Sequence, residues 1–149
     1  MEIEIRTVTE QSLPRVEPLI EAYQRFYDSE DIDPARNQEF FSRFIGSDRE
    51  GWLLAAWQDE QVVGFGCYYR FLSSTSAVET VLMNDLFVAE EVRGQGVGRA
   101  LIEAGLGLVR ESGAAWLEWN TAPDNHTAQA LYDGTGAERS TWINYELKA

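Results

Sequence analysis

The chain predicts a single mixed α/β domain over residues 1–149, with elements in the order β-α-α-β-β-β-α-β-α-β. Three observations carry that expectation. Ile3 and Ile5 alternate with Glu2, Glu4 and Arg6, as in a half-buried strand. Leu13, Val16, Leu19, Ile20, Tyr23 and Phe26 then recur at helical spacing. Further on, a strand-like run from Val78 to Val88 breaks into Arg93-Gly94-Gln95-Gly96-Val97-Gly98 and passes directly into an amphipathic run, Val97 to Glu111.

The elements follow in order. Thr9 is a candidate cap for the first helix, and Pro14 and Pro18 predict irregular or late first turns. Asp33-Pro34 reads as an N-cap and a first-turn proline, with Phe40, Phe41, Phe44 and Ile45 as the apolar face that follows. Gly51 to Trp57 and Val62 to Leu72, joined by the polar Gln58-Asp59-Glu60-Gln61, predict a hairpin. Ser73 to Ser76 turns into the strand ending at Val88. In the helix after the glycines, Leu101, Ile102, Leu108 and Val109 mark the inner stripe, and Gly113 is its stop. Gly105 and Gly107 weaken that helix unless close packing requires them. Ala114 to Asn120 is a short strand, Asp124 or Asn125 caps a brief helix, and Thr141 to Leu147 is expected to close the sheet as a last strand.

Bulk properties narrow the class. Twelve basic against 25 acidic residues give a net charge of −13, which argues against a nucleic-acid partner and favours cationic ones. The acidic, alternating N-terminus is not that of a signal peptide, and no run is long and apolar enough for a membrane span. A cytoplasmic protein without a membrane partner is therefore expected. Cys67, the lone cysteine, sits in an apolar strand and reads as a small buried hydrophobe. His126 has no Cys or His companions, so no metal is implied.

The glycine loop carries the chemistry. A strand that ends in glycines before a helix leaves first-turn N–H groups and the helix dipole facing an anion, and Arg93 and Arg99 add charge. A pyrophosphate is the expected ligand. The loop is no Walker sequence, because it lacks Lys-Ser/Thr. The dinucleotide fingerprint also fails, since its third glycine would fall on Arg99 or Leu101.

Val88, Arg93, Gly96 and Gly98 resemble the acetyl-CoA motif of the GNAT superfamily of N-acetyltransferases. Asn125, Ala128, Ala130, Leu131, Tyr132 and Gly136-Ala137 resemble its second motif, in the family's order and separation. The resemblance implies a mostly antiparallel central sheet with helices on both faces. It implies acetyl-CoA as co-substrate, its pyrophosphate held by Arg93, Gly94, Gln95, Gly96, Val97, Gly98 and Arg99, with Asn125 and Ala128 near the cofactor. Leu86, Phe87 and Val88 would lie where two strands splay and admit the pantetheine arm.

Tyr132 is, by the same resemblance, the expected general acid at the thioester sulfur. Asp85, Glu79 and Glu118 are the candidate bases, Asp85 first among them. Asn84 and Asp85 fall where polyamine-type members line the acceptor pocket, although one such member has Glu-Asp in place of Asn84-Asp85. Tyr23, Phe26 and Tyr27 share one helical face, and with Trp119 and Asn120 they form the expected acceptor side. A small cationic or amino-acid-like amine is the expected acceptor, with direct transfer from thioester to amine. A peptide amine, or an acyl-CoA sensor without turnover, is the alternative. A homodimer is expected, with Trp142 and Tyr145 in the late strand.

Overall fold

Strand β1 (Glu4–Thr7) forms one edge of a five-stranded sheet of order β1-β2-β3-β4-β5. The computed structural model describes residues 2–149. After β1 come α1 (Leu13–Phe26), α2 (Pro34–Phe41), β2 (Gly51–Gln58), β3 (Gln61–Ser73) and β4 (Val78–Val88), then α3 (Val97–Ser112), β5 (Leu117–Glu118) and α4 (His126–Asp133). The first three pairings are antiparallel and β4–β5 is parallel. The β2–β3 hairpin turns on Asp59 and Glu60, whose φ of 49° and 65° are those of a type I′ turn that matches strand twist.

Helices cover both faces. On one, Val16 and Ile20 of α1 and Phe41 of α2 bury against Leu53, Ala55, Phe65 and Cys67. On the other, Ile102, Leu108 and Val109 of α3 pack on Leu54, Tyr68, Val81 and Met83. Each such side chain contributes roughly 1.5–3 kcal/mol by leaving water. The Tyr68 hydroxyl satisfies itself inside this layer by donating to the Leu101 carbonyl at 2.6 Å. Gly105 is the contact point of α3, since a Cβ there would lie 3.0 Å from Tyr68 and from Leu117. Gly107 has nothing within 4 Å and no such role.

Most of the expected ends hold. Asp33 accepts from the N–H groups of Ala35 and Arg36, Asn125 accepts from that of Ala128, and Gly113 stops α3 with φ 78°. Thr9 does not cap α1. The Thr9 and Ser12 side chains bond each other's backbone N–H in a turn, and the helix begins at Leu13.

Two expected strands differ more. Ala114–Asn120 shrinks to Leu117–Glu118, because β4 pairs with β5 only at Val81↔Leu117 and Leu82↔Glu118. Pairing stops where β4 bulges: Cys67 faces Asp85 and Tyr68 faces Met83, so Asn84 has no partner. Bulges bend the strand that holds them, and from Met83 onward β4 runs without β5. The strand expected at Thr141–Leu147 is absent, and residues 137–149 have no helix or strand. Among the described residues no strand lies beyond β5.

Candidate active site

The bulge assembles one wall of the site. Asn84 and Asp85 sit side by side on β4, and the Asn84 amide donates to both Asp85 carboxylate oxygens at 3.2 Å and to the Tyr69 hydroxyl at 3.2 Å. From α1, the Tyr23 hydroxyl donates to Asp85 Oδ1 at 2.7 Å. Asp85 is 8% exposed, which makes it the one buried carboxylate among the described residues. Burial pushes its carboxyl above the usual range, and hydrogen bonds from Tyr23, Asn84 and Tyr69 pull the other way without cancelling that effect. Tyr23 is held protonated far above the ordinary phenol range, first by burial and then by the Asp85 charge.

An open cleft of about 260 Å³ leads to this carboxylate, lined by Tyr23, Gln24, Arg36, Asn37, Phe40, Phe41, Tyr69 and Asp85. Its floor is fixed. Gln24 and the buried Asn37 exchange amide hydrogen bonds of 2.8 and 2.9 Å, tying α1 to α2, and Phe44 stacks on Tyr69. Arg36 is the cation of this lining, and it pairs with Asp31 at 3.0 Å. A larger cleft of about 580 Å³ lies beside the glycine loop, where Arg25 and Arg93 are matched by Glu90 and Glu91.

The glycine loop has the geometry that an anion site needs. Gly94 and Gly96 adopt φ of 82° and 90°, which L side chains disfavour, and Gly96 caps α3. The first amide of α3 bonded back to the loop is that of Ala100, to the Gly96 carbonyl at 3.0 Å. The N–H groups of Val97, Gly98 and Arg99 therefore belong to the open first turn. Gly98 serves packing, since a Cβ there would press on Leu131 at 3.0 Å. Arg93 does not reach across the loop. It donates from Nε to the Val88 carbonyl and lies over Phe87 and Phe26, at 5.4 and 5.8 Å from their ring centres. Arg99 donates to the Gly134 carbonyl at the end of α4, at 3.0 Å. Gln95 stays exposed.

Leu86, Phe87 and Val88 lie on the stretch of β4 that β5 leaves unpaired. Across that gap stands α4. Tyr132 packs edge-on against Trp119 at 5.4 Å, and its phenol is raised by burial and by the nearby Tyr27 hydroxyl. Tyr27 in turn contacts Tyr23 edge-on at 5.1 Å, so it links the two walls. Asn120 is exposed beyond β5. Asn125 spends its side-chain oxygen on the Ala128 N–H as the cap of α4.

The structure thus brings Tyr23, Tyr27, Asn84, Asp85, Trp119 and Tyr132 around one gap. Glu79 and Glu118 stand apart: Glu79 pairs with Arg70, and Glu118 accepts from the Trp116 indole at 2.7 Å. Sequence reasoning missed Tyr69, Gln24, Asn37 and Arg36. Gln24, Arg36 and Asn37 lie among other polar residues and Tyr69 in an aromatic strand, so none carried a local signal. Cys67 is fully buried with its thiol pushed up, and it is chemically silent. Among the described residues no acidic, His or Cys cluster could hold a metal, and no helix is long and apolar enough to cross a membrane.

Residues 16–136 match the acetyltransferase (GNAT) family. The chain belongs to that family. Among its GNAT-type relatives is the D-amino-acid N-acetyltransferase HPA3 of Saccharomyces cerevisiae, 40% identical over 94 residues. That match covers 62% of this chain and 58% of the yeast enzyme, little more than half its length. An uncharacterized N-acetyltransferase of Bacillus subtilis, YhfO, is 30% identical over 145 residues, 96% of this chain and 95% of the relative. A crystal structure described as a probable acetyltransferase superposes with a TM-score of 0.83 at 30% identity, covering 100% of this chain and 98% of the other. The mixed α/β fold is thus the GNAT fold.

Proposed function

We propose that this GNAT member transfers an acetyl group from acetyl-CoA directly to the primary amine of a small, amino-acid-like or cationic acceptor. The observation that carries the proposal is the buried Asp85, bonded by Tyr23 on the stretch of β4 that β5 leaves unpaired, with the glycine loop following the end of β4. Acetyl-CoA fits this arrangement. The open first turn of α3 suits its pyrophosphate, and the unpaired backbone of Leu86, Phe87 and Val88 suits a pantetheine arm that bonds as a strand would.

Asp85 then has the base's role. An alkylammonium must lose a proton before it attacks, and a carboxyl raised by burial takes that proton more readily than an exposed one. Tyr23, Asn84 and Tyr69 orient it. Tyr132, kept protonated at neutral pH, has the acid's role toward the leaving thiolate. The free amine forms the new C–N bond, the tetrahedral intermediate collapses, the C–S electron pair leaves on sulfur with a proton from Tyr132, and the surplus proton on nitrogen restores the Tyr132 phenol. The inertness of buried Cys67 agrees with direct transfer rather than an acyl-cysteine intermediate.

Arg36 favours the amino-acid-like acceptor. It lines the same small cleft as Asp85, so an amine and a carboxylate on one small molecule find opposite charges there. The name of the yeast relative points to the same substrate class. A cytoplasmic homodimer completes the proposal.

Thiol release from acetyl-CoA tests it, across D- and L-amino acids, polyamines, alkylamines and lysine peptides. Turnover with small amines is expected, greatest for those bearing a carboxylate. Tight acetyl-CoA binding without turnover on any amine would overturn the catalytic role and leave a sensor, and turnover on peptides alone would overturn the substrate class. The buried thiol of Cys67 should leave the thiol probe's background low.

A further inference from the structure

The open side of β4 is partly taken by the chain itself. The Ala89 N–H donates to the Val63 carbonyl of the neighbouring β3 at 2.8 Å. A trans peptide points its N–H and its C=O in opposite directions, so the Val88 carbonyl, in the same plane, turns away from β3. It faces the side that β5 leaves unpaired. Arg93 donates to it there, from Nε at 3.0 Å. One side chain of the glycine loop thus fills a bond that a strand beside β4 would fill.

The hold on Arg93 is light. A single turn, Glu90–Val92, separates it from the end of β4, and its guanidinium lies over Phe87 and Phe26. Arg93 itself is exposed, and Phe26 is 54% exposed. Among the described residues no ion pair involves Arg93. Nε is its one engaged nitrogen, so both terminal nitrogens keep their donors unspent.

The second arginine of the loop is placed differently. Arg99 donates to the Gly134 carbonyl and lies 3.7 Å from Glu103, so a carboxylate already stands beside its charge. Arg93 has a neutral carbonyl and two ring faces instead. An anion offers a guanidinium more than either, because a bond charged at both ends is the stronger one. Arg93 is therefore the loop cation with a better partner to gain.

We infer that Arg93 is a specificity-determining residue: it closes the Val88 carbonyl to a pantetheine arm unless the same molecule brings phosphates that take the guanidinium. The inference rests on the acetyl-CoA reading of the site and adds which thioesters the site refuses. Any arm that pairs with Val88 must displace the Arg93 bond and its ring contacts. A bare pantetheine thioester leaves the freed guanidinium without a partner. A CoA thioester supplies one. Selection is thus by exchange, and it works against the wrong donor as much as for the right one.

Equilibrium binding to the intact protein tests the exchange, with CoA titrated by calorimetry and pantetheine, which lacks the nucleotide, read by its displacement of CoA. Arg93→Met keeps an unbranched stem over the two rings and removes the donor. It should bind pantetheine about tenfold tighter than wild type, the scale of one hydrogen bond to a charged group, while CoA binds a few-fold more weakly. Phe26→Leu loosens the ring contacts and keeps the guanidinium, so both ligands should bind a few-fold tighter; so exposed a ring can be lost without unfolding. Opposite signs in Arg93→Met are what neither a packing residue nor a plain phosphate ligand would give. Pantetheine unchanged with CoA weakened would overturn the exchange and leave Arg93 a phosphate ligand. Both ligands weakened, in either variant, would overturn it and leave a brace for the end of β4. A wild type that binds neither ligand would overturn the acetyl-CoA reading itself, and the exchange with it.

Discussion

The two walls of the site are built to different standards. The β4–α1 wall is closed: Asp85 receives hydrogen bonds from Tyr23 and Asn84, Asn84 reaches Tyr69, and Gln24 and Asn37 lock the helices behind. The β5–α4 wall is sparse, with a two-residue strand, a helix without buried residues, and a Tyr132 held mainly by Trp119. The side of the proposed base is thus organised before any ligand arrives, whereas the side of the proposed acid has contacts left to gain. Preorganisation at a buried carboxylate limits the rearrangement that proton transfer needs.

Substitutions sharpen that contrast. Asp85→Asn should have the largest effect, lowering kcat/KM by about 10²–10⁴-fold, the usual worth of a positioned base. It should not destabilise the fold at neutral pH, because Tyr23 still has an oxygen to donate to and no charge is buried. Stability against pH checks the sign. A carboxyl raised in the folded state binds its proton more tightly there than in the unfolded chain. Wild-type stability should therefore fall as pH rises from the ordinary carboxylate range through the raised value, and Asp85→Asn should remove that fall. An inactive variant that is also strongly destabilised would mean that Asp85 serves packing.

Tyr132→Phe should come next, with kcat about 10²-fold lower, little change in acetyl-CoA affinity and the melting temperature nearly unchanged. Thioesters with more acidic leaving thiols should recover most of the loss. An equal loss for all thioesters would instead make Tyr132 a packing residue. Arg36→Ala should raise KM about tenfold for amino-acid acceptors, the scale of one charge-assisted hydrogen bond, and leave alkylamines unaffected. Equal changes for both acceptor types would remove Arg36 from carboxylate recognition. Smallest is Tyr23→Phe. Without its hydrogen bond the Asp85 anion is less favoured, so the acid limb of the kcat/KM profile should move to higher pH with only a few-fold loss at its plateau.

What the sequence revealed follows the same division. The turn at the glycine loop and the starts of α3 and α4 were legible because their determinants are local. Asp85 could be ranked ahead of Glu79 and Glu118 as a candidate, but its burial could not be read, because its partner Tyr23 is 62 residues away and burial is a property of the assembled sheet. Tyr69, Gln24, Asn37 and Arg36 were invisible for that reason too. The strand expected at Thr141–Leu147 had the right alternation, yet alternation describes a segment's demand for a neighbour and does not supply one.

The bulge at Asn84 has a consequence for how this site tolerates change. A regular strand sends consecutive side chains to opposite faces, so placing Asn84 beside Asp85 and parting β4 from β5 both depend on one surplus residue. The site is in that sense encoded by a count of residues as much as by their kinds. Mutational scanning should find that replacements at position 84 cost the hydrogen bonds to Asp85 and Tyr69, and that its removal costs more, since a deletion would heal the strand and close the gap proposed for the cofactor's arm.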